Sequence, residues 1–149
     1  MTVLVDTGVL LRQFVPSDPE CERIHQALKR LRHGGAPATT FQNIAEFWNV
    51  STRPLSSRGG YGLPATVVEA RVRFIERRFR VVTESFDSYV IWRDLVKKHA
   101  LSGVAVHDAR IAAILLSAGF GSILTLNPRD FRRYEADNIS CVTPGEVII

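Results

Sequence analysis

The first apolar run, Val3, Leu4 and Val5, is followed at once by Asp6. A short run rich in β-branched residues predicts a strand buried on both faces of a parallel sheet. Asp6 then stands at the carboxyl end of that strand, where open α/β sheets bind ligands, and it can equally cap a helix over GVLLRQF. SDPECERIHQALKRLRHGG predicts a helix, with Asp18 as cap, Pro19 at the first helical position, Gly34 as stop, and Ile24, Ala27, Leu28 and Leu31 as the apolar face. The short segment APATT leads into a helix over FQNIAEFWNVSTRP, where Ile44, Phe47 and Trp48 share a face, Glu46 sits within, and Pro54 marks the end.

Pro54, Gly59, Gly60, Gly62 and Pro64 make STRPLSSRGGYGLP a surface loop, expected to be the mobile element. Val67, Ala70, Phe74, Ile75 and Phe79 then recur at helical spacing, with the arginines of RVRFIERRFR on the other side. RVVTES reads as a strand, and SFDSYVIWRDLVKKHA as a helix with Lys97, Lys98 and His99 in its last turn, where cations suit the dipole. VHDARIAAILLSAGFG is an apolar helix with Asp108 in its first turn and Gly119 at its close; SILTL and NISCVTP are further strands, and NPRDF follows the first of them. Strands alternating with helices predict an α/β/α three-layer sandwich on a mostly parallel central sheet, one domain over residues 1–149.

Composition narrows the setting. With 46% hydrophobic and 23% charged residues the chain is ordinary globular material, and no apolar stretch reaches the length of a membrane span. No basic-plus-apolar leader opens it, and Cys21 and Cys141 offer little to a disulfide framework, so a cytoplasmic setting is expected. A net charge of +4 suits a protein that meets polyanions, although the arginine run by itself reads as a solvated helix face.

The acidic residues carry the chemistry. Asp6, Asp108 and the NPRDF segment come from strand ends or helix starts far apart in sequence, and Glu46 can reach the same edge. Carboxylates converging on one crevice raise one another's pKa unless a cation neutralises them. Oxygen donors favour Mg²⁺ or Mn²⁺ over zinc, and the chain has neither HExxH nor CxxC. Taken singly, each residue has an ordinary reading. Asp6 caps a helix, Asp108 is a first-turn acid, Glu46 is a solvated helix residue, and Asp130 pairs with Arg132 or Arg133.

Together, VLVDTGVLL, QNIAEFWNVSTRP, VHDARIAA and LTLNPRDFRRY, in that order, resemble the PIN-domain ribonucleases, and among them the VapC-type toxins of toxin–antitoxin pairs. The resemblance spans essentially the whole chain. It implies a PIN-like sandwich and a metal-dependent endoribonuclease that cleaves single-stranded RNA with Mg²⁺ or Mn²⁺. Its site would comprise Asp6, Glu46 and Asp108, with Asn127 or Asp130 beside them. Family members often carry a fourth carboxylate two residues after the Thr matched here by Thr125; this chain has Asn127 there, which supplies an oxygen but no charge. The Thr7 hydroxyl would orient a metal-bound water, and Arg53, Arg110 and Arg129 would hold RNA phosphate. An antitoxin protein and a homodimer are the implied partners.

Rival readings follow from single features. Asn127 leaves room for a non-catalytic PIN relative that binds RNA or a partner. A haloacid-dehalogenase-like phosphotransferase needs a second Asp where Gly8 stands, and no GxGxxG follows the first strand to support dinucleotide binding.

Overall fold

Five short strands form one parallel sheet in the computed structural model, which describes residues 2–148. These are β1 (Val3–Val5), β2 (Ala38–Thr40), β3 (Arg80–Val82), β4 (Ser122–Leu124) and β5 (Ser140–Val142), in the order β3-β2-β1-β4-β5. All pairings are parallel, and Val3, Leu4 and Val5 lie opposite Ser122, Ile123 and Leu124. Helices make the crossovers that parallel strands require: α1 (Thr7–Arg12), α2 (Cys21–Arg32), α3 (Phe41–Thr52), α4 (Ala65–Arg78), α5 (Phe86–Lys98) and α6 (Ala105–Ser117), with α7 (Pro144–Ile148) closing the fold.

The sheet separates two apolar cores, which explains why its central strand β1 is apolar at every position. Leu4, Ala38 and Ile123 face a layer that includes Leu95, Ile111, Leu115 and Tyr134 from α5, α6 and the segment after β4. Val3, Val5 and Leu124 face the opposite layer, with Leu10, Ile24, Phe47, Val68 and Ile75 from α1 to α4. Among the described residues no helix is long and apolar enough to cross a membrane, and Cys21 and Cys141 are both free.

The expected three-layer parallel architecture is observed, with local differences. The APATT connector becomes β2, because β1 and β3 offer it a ladder on both sides. α2 starts only at Cys21; Asp18 instead bonds the Glu20 N–H at 2.9 Å in the turn before it. On α4 the buried positions are Val68, Val72 and Ile75, while Ala70 is exposed and Val67 and Phe74 are half-buried, so the helix is rotated from the face expected from the sequence. NPRDF winds into a 3-10 turn over Pro128–Asp130, followed by another over Arg132–Asp137.

The glycine-rich loop is bound back to the end of α3. Tyr61, Gly62 and Leu63 donate their N–H groups to the carbonyls of Val50, Arg53 and Ser51, at 3.1, 2.7 and 2.9 Å. Gly60 packs so closely on this segment that a Cβ would come within 2.3 Å of the Pro54 carbonyl oxygen. Only a residue without a side chain fits there.

β1 and β4 are neighbours whose onward connections run to opposite sides of the sheet, so their carboxyl ends frame a crevice at the point where strand order reverses. Leu4 is fully buried on the strand that shapes this crevice. Leu4→Ala is expected to destabilise the fold by about 2–5 kcal/mol, read from denaturant midpoints at unchanged slope.

Candidate active site

Asp6 extends the ladder beyond β1 by donating its N–H to the Leu124 carbonyl at 3.0 Å. Its own carbonyl then accepts from the N–H groups of Val9 and Leu10, both at 3.2 Å, and starts α1. Its carboxylate is gripped from several segments. Oδ1 accepts from the Thr7 N–H at 2.9 Å and from Asn43 Nδ2 at 3.3 Å, and Oδ2 accepts from Thr125 Oγ1 at 2.9 Å. Asp6 therefore caps α1, as one of the two sequence readings expected, and the same carboxylate lies in the field of Glu46 and Asp130.

Glu46 is held with similar care. Thr7 Oγ1 donates to Glu46 Oε2 at 2.7 Å and accepts from Asn43 Nδ2 at 3.0 Å. Gln42 Nε2 donates to Glu46 Oε1 and to the His107 carbonyl, each at 3.1 Å. Thr40 sets the orientation of Asn43: its hydroxyl donates to Asn43 Oδ1 at 2.7 Å and accepts the Asn43 N–H at 3.1 Å, which also caps α3. With its amide oxygen engaged by Thr40, Asn43 turns its NH₂ group toward Asp6 and Thr7.

Asp108, half-buried in the first turn of α6, faces the same space. Burial pushes its carboxyl up to about 7, the charges of Asp130, Asp6 and Glu46 push in the same direction, and Arg133 opposes them. Burial also raises Asp6; the Thr125 hydroxyl and the Thr7 N–H counteract it, while Glu46 and Asp130 add to it. Like charges are thus held together with too little positive charge to balance them.

Asp6, Glu46, Asp108 and Asp130 consequently act on one another electrostatically. The 3-10 turn at Pro128 brings Asp130, itself exposed, into this field; Asn127 is exposed as well, and its N–H donates to Thr125 Oγ1 at 3.0 Å. Among the described residues, no three His, Cys, Asp or Glu side chains close on one point as a ready-made metal cage. The donor set is all oxygen and short of cations, which is the chemistry of a hard divalent ion.

The expected arginines are more dispersed. Arg53 donates to the Arg58 carbonyl at 3.0 Å within the glycine-rich loop, Arg110 is ion-paired with Glu84, and Arg129 is exposed beside Asn127 and Asp130. The sequence reading did not single out Gln42, Asn43 or Thr40, and it named Arg133 only as a pairing partner of Asp130. Asn43 and Gln42 precede Glu46 by about one helical turn, a spacing that places them beside it and that alone could have marked them.

Comparison with known proteins identifies the family and the fold. The PIN domain family model matches residues 3–137, and the chain belongs to that family. A toxin–antitoxin complex from Klebsiella pneumoniae superposes with a TM-score of 0.66 at 21% identity, over 96% of this chain and 98% of that one. FitAcB from Neisseria gonorrhoeae gives a TM-score of 0.67 at 20% identity, over 97% and 99%. The Mycobacterium tuberculosis toxin VapC20, which cleaves the sarcin-ricin loop, gives 0.54 at 21% identity, over 82% and 87%. At these identities the likeness is one of fold. No individually curated protein matches the chain significantly.

The crowding has a thermodynamic consequence. The folded-state pKa of Asp108 lies above its ordinary value of 3.8, so its contribution to stability is fully present below that value and is lost as pH rises toward about 7. In EDTA, the melting temperature of the wild-type chain should therefore decline across this range more steeply than that of Asp108→Asn. Parallel pH profiles by calorimetry would show that Asp108 is not under this electrostatic load.

Proposed function

We propose that this chain is a metal-dependent endoribonuclease that cleaves single-stranded RNA as the toxin of a toxin–antitoxin pair, working in the cytoplasm as a homodimer. The observation that carries the reading is the under-neutralised set of half-buried Asp6, Glu46 and Asp108, with the exposed Asp130 beside them, at the carboxyl edge of a PIN-family sheet. The toxin–antitoxin complex and the RNA-cleaving toxin among its structural neighbours support the same direction.

Asp6, Glu46 and Asp108 would hold Mg²⁺ or Mn²⁺, with Asp130 or Asn127 completing the set. When bound, the ion would lower the pKa of the attacking water and offset charge on the phosphate and leaving oxygen. The chain's own contribution is preorganisation. Thr125 and Asn43 fix the Asp6 carboxylate, and Thr7 and Gln42 fix that of Glu46. Thr7 would therefore act on a carboxylate, where the sequence reading expected it to orient a metal-bound water. Arg129 and Arg133, at the open side of the cluster, would receive the backbone phosphates that the carboxylates repel.

The direct test is cleavage of a single-stranded RNA by the purified chain in Mg²⁺, Mn²⁺ and EDTA. Asp6→Asn, Glu46→Gln and Asp108→Asn should each lower kcat/KM by more than roughly 100-fold. Thr7→Val should lower it by about 10–100-fold, as for a residue that orients a ligand. Cleavage that survives EDTA would overturn the metal mechanism; RNA binding without cleavage would favour the non-catalytic PIN relative.

The toxin role has its own test. Induced expression should arrest bacterial growth, Asp6→Asn should abolish the arrest, and co-expression of a small gene adjacent to this one should relieve it. A wild-type chain that is harmless at high expression, yet cleaves RNA when pure, would be a housekeeping nuclease.

A further inference from the structure

Phe86, Tyr89 and Trp92 form a row of rings along α5, with successive centroids 6.1 and 6.2 Å apart and planes tilted by 37° and 31°. Phe86 is 78% and Tyr89 50% exposed, so apolar surface that a helix normally buries is left facing solvent. Trp92 is held in place from behind, since its Nε1–H donates to the Val106 carbonyl at 2.8 Å. Between this row and α6 lies a hollow of about 280 Å³, lined by Glu84, Tyr89, Trp92, His107 and Arg110 among others. That size is at the lower end of ligand cavities and suits a single ring system.

The hollow adjoins the acidic cluster. His107, on its wall, immediately precedes Asp108, and the His107 carbonyl accepts from the same Gln42 amide that donates to Glu46. Arg110 borders both this hollow and the depression that contains Gln42 and Glu46. The Arg110–Glu84 ion pair at the rim supplies a donor-only group beside an acceptor-only group. Nucleobases offer a stacking face together with donors and acceptors on one edge, which matches walls and rim alike. A purely apolar segment would leave the rim unused.

We propose that this hollow seats one nucleobase of the substrate strand, adjacent to the phosphate cleaved at the acidic cluster, and that Tyr89 and Trp92 are its stacking walls. This rests on the ribonuclease reading above. The site would make cleavage depend on a base, and not only on the RNA backbone.

The test uses Trp48→Phe, which leaves Trp92 as the sole tryptophan of a chain that has 2. The probe is a 2′-O-methyl tetranucleotide in Mg²⁺, with each base in turn replaced by an abasic position. Binding should quench Trp92, and removal of one particular base should weaken binding about ten-fold or more, as for loss of a stacked base. Tyr89→Ala should weaken the complete tetranucleotide by a similar factor but leave that abasic one unchanged, while Tyr89→Phe retains full binding.

Equal affinity for complete and abasic probes, or a Tyr89→Ala loss that is the same for both, would overturn the base seat. So would a dimer in sedimentation that Tyr89→Ala dissociates with no base-dependent quenching, because the rings would then be a seam between two copies. Cleavage of single-stranded RNA by the wild type separates the two levels: cleavage without base dependence removes only this inference. Neither cleavage nor probe binding in Mg²⁺ removes the ribonuclease reading and the base seat together.

Discussion

A carboxylate placed at the end of the central strand must be solvated by the protein, and much of the local structure answers that demand. Asp6 is too enclosed for water alone to satisfy it, so the Thr7 N–H, the Asn43 amide and the Thr125 hydroxyl converge on its two oxygens. Those donors come from α1, α3 and the end of β4. Their convergence requires β1 and β4 to be in register and α3 to start where Thr40 caps it. The hydrogen bonds also continue outward, from Asn43 to Thr7 and from Thr7 to Glu46, so one acid positions the next.

What this network does not supply is positive charge. Its donors are neutral hydroxyls and amides, which orient carboxylates without balancing them, and Asp108 and Asp130 add charge to the same space. Neutral donors hold geometry while leaving the net negative potential intact. A site built this way carries unrelieved like-charge repulsion in the free chain, which a bound cation would offset. Arg133 moderates Asp108 from one side, but Arg110 is diverted to Glu84 and Arg53 to its own loop.

That diversion links the site to the α5–α6 layer. Arg110 borders the depression that contains Glu46 and completes the rim of the aromatic hollow, and the Gln42 amide ties the wall of that hollow to Glu46. The acids Asp6, Glu46 and Asp108 come from the end of β1, α3 and α6, and the hollow is walled by α5 and α6, so α6 is the element that the two share. A small shift of α6 would move His107, on the wall of the hollow, together with Asp108.

The sequence alone determined the alternation of strands and helices, the strand-end position of Asp6 and the first-turn position of Asp108. Each rests on local signals: a β-branched run, a helical period, or a motif of a few residues. The family resemblance added Glu46, which local pattern alone would have left on a solvated helix face. Tertiary structure decided the rest. APATT is a strand only because β1 and β3 present edges to it, and the buried face of α4 is set by the layer it packs against. Asp130 enters the cluster because the chain turns at Pro128, and the exposed Arg110 turns to Glu84 because that carboxylate lies across the hollow. Hydrogen bonds such as Thr125 to Asp6 join residues more than a hundred positions apart, and no local period encodes a contact that exists only after the sheet has formed.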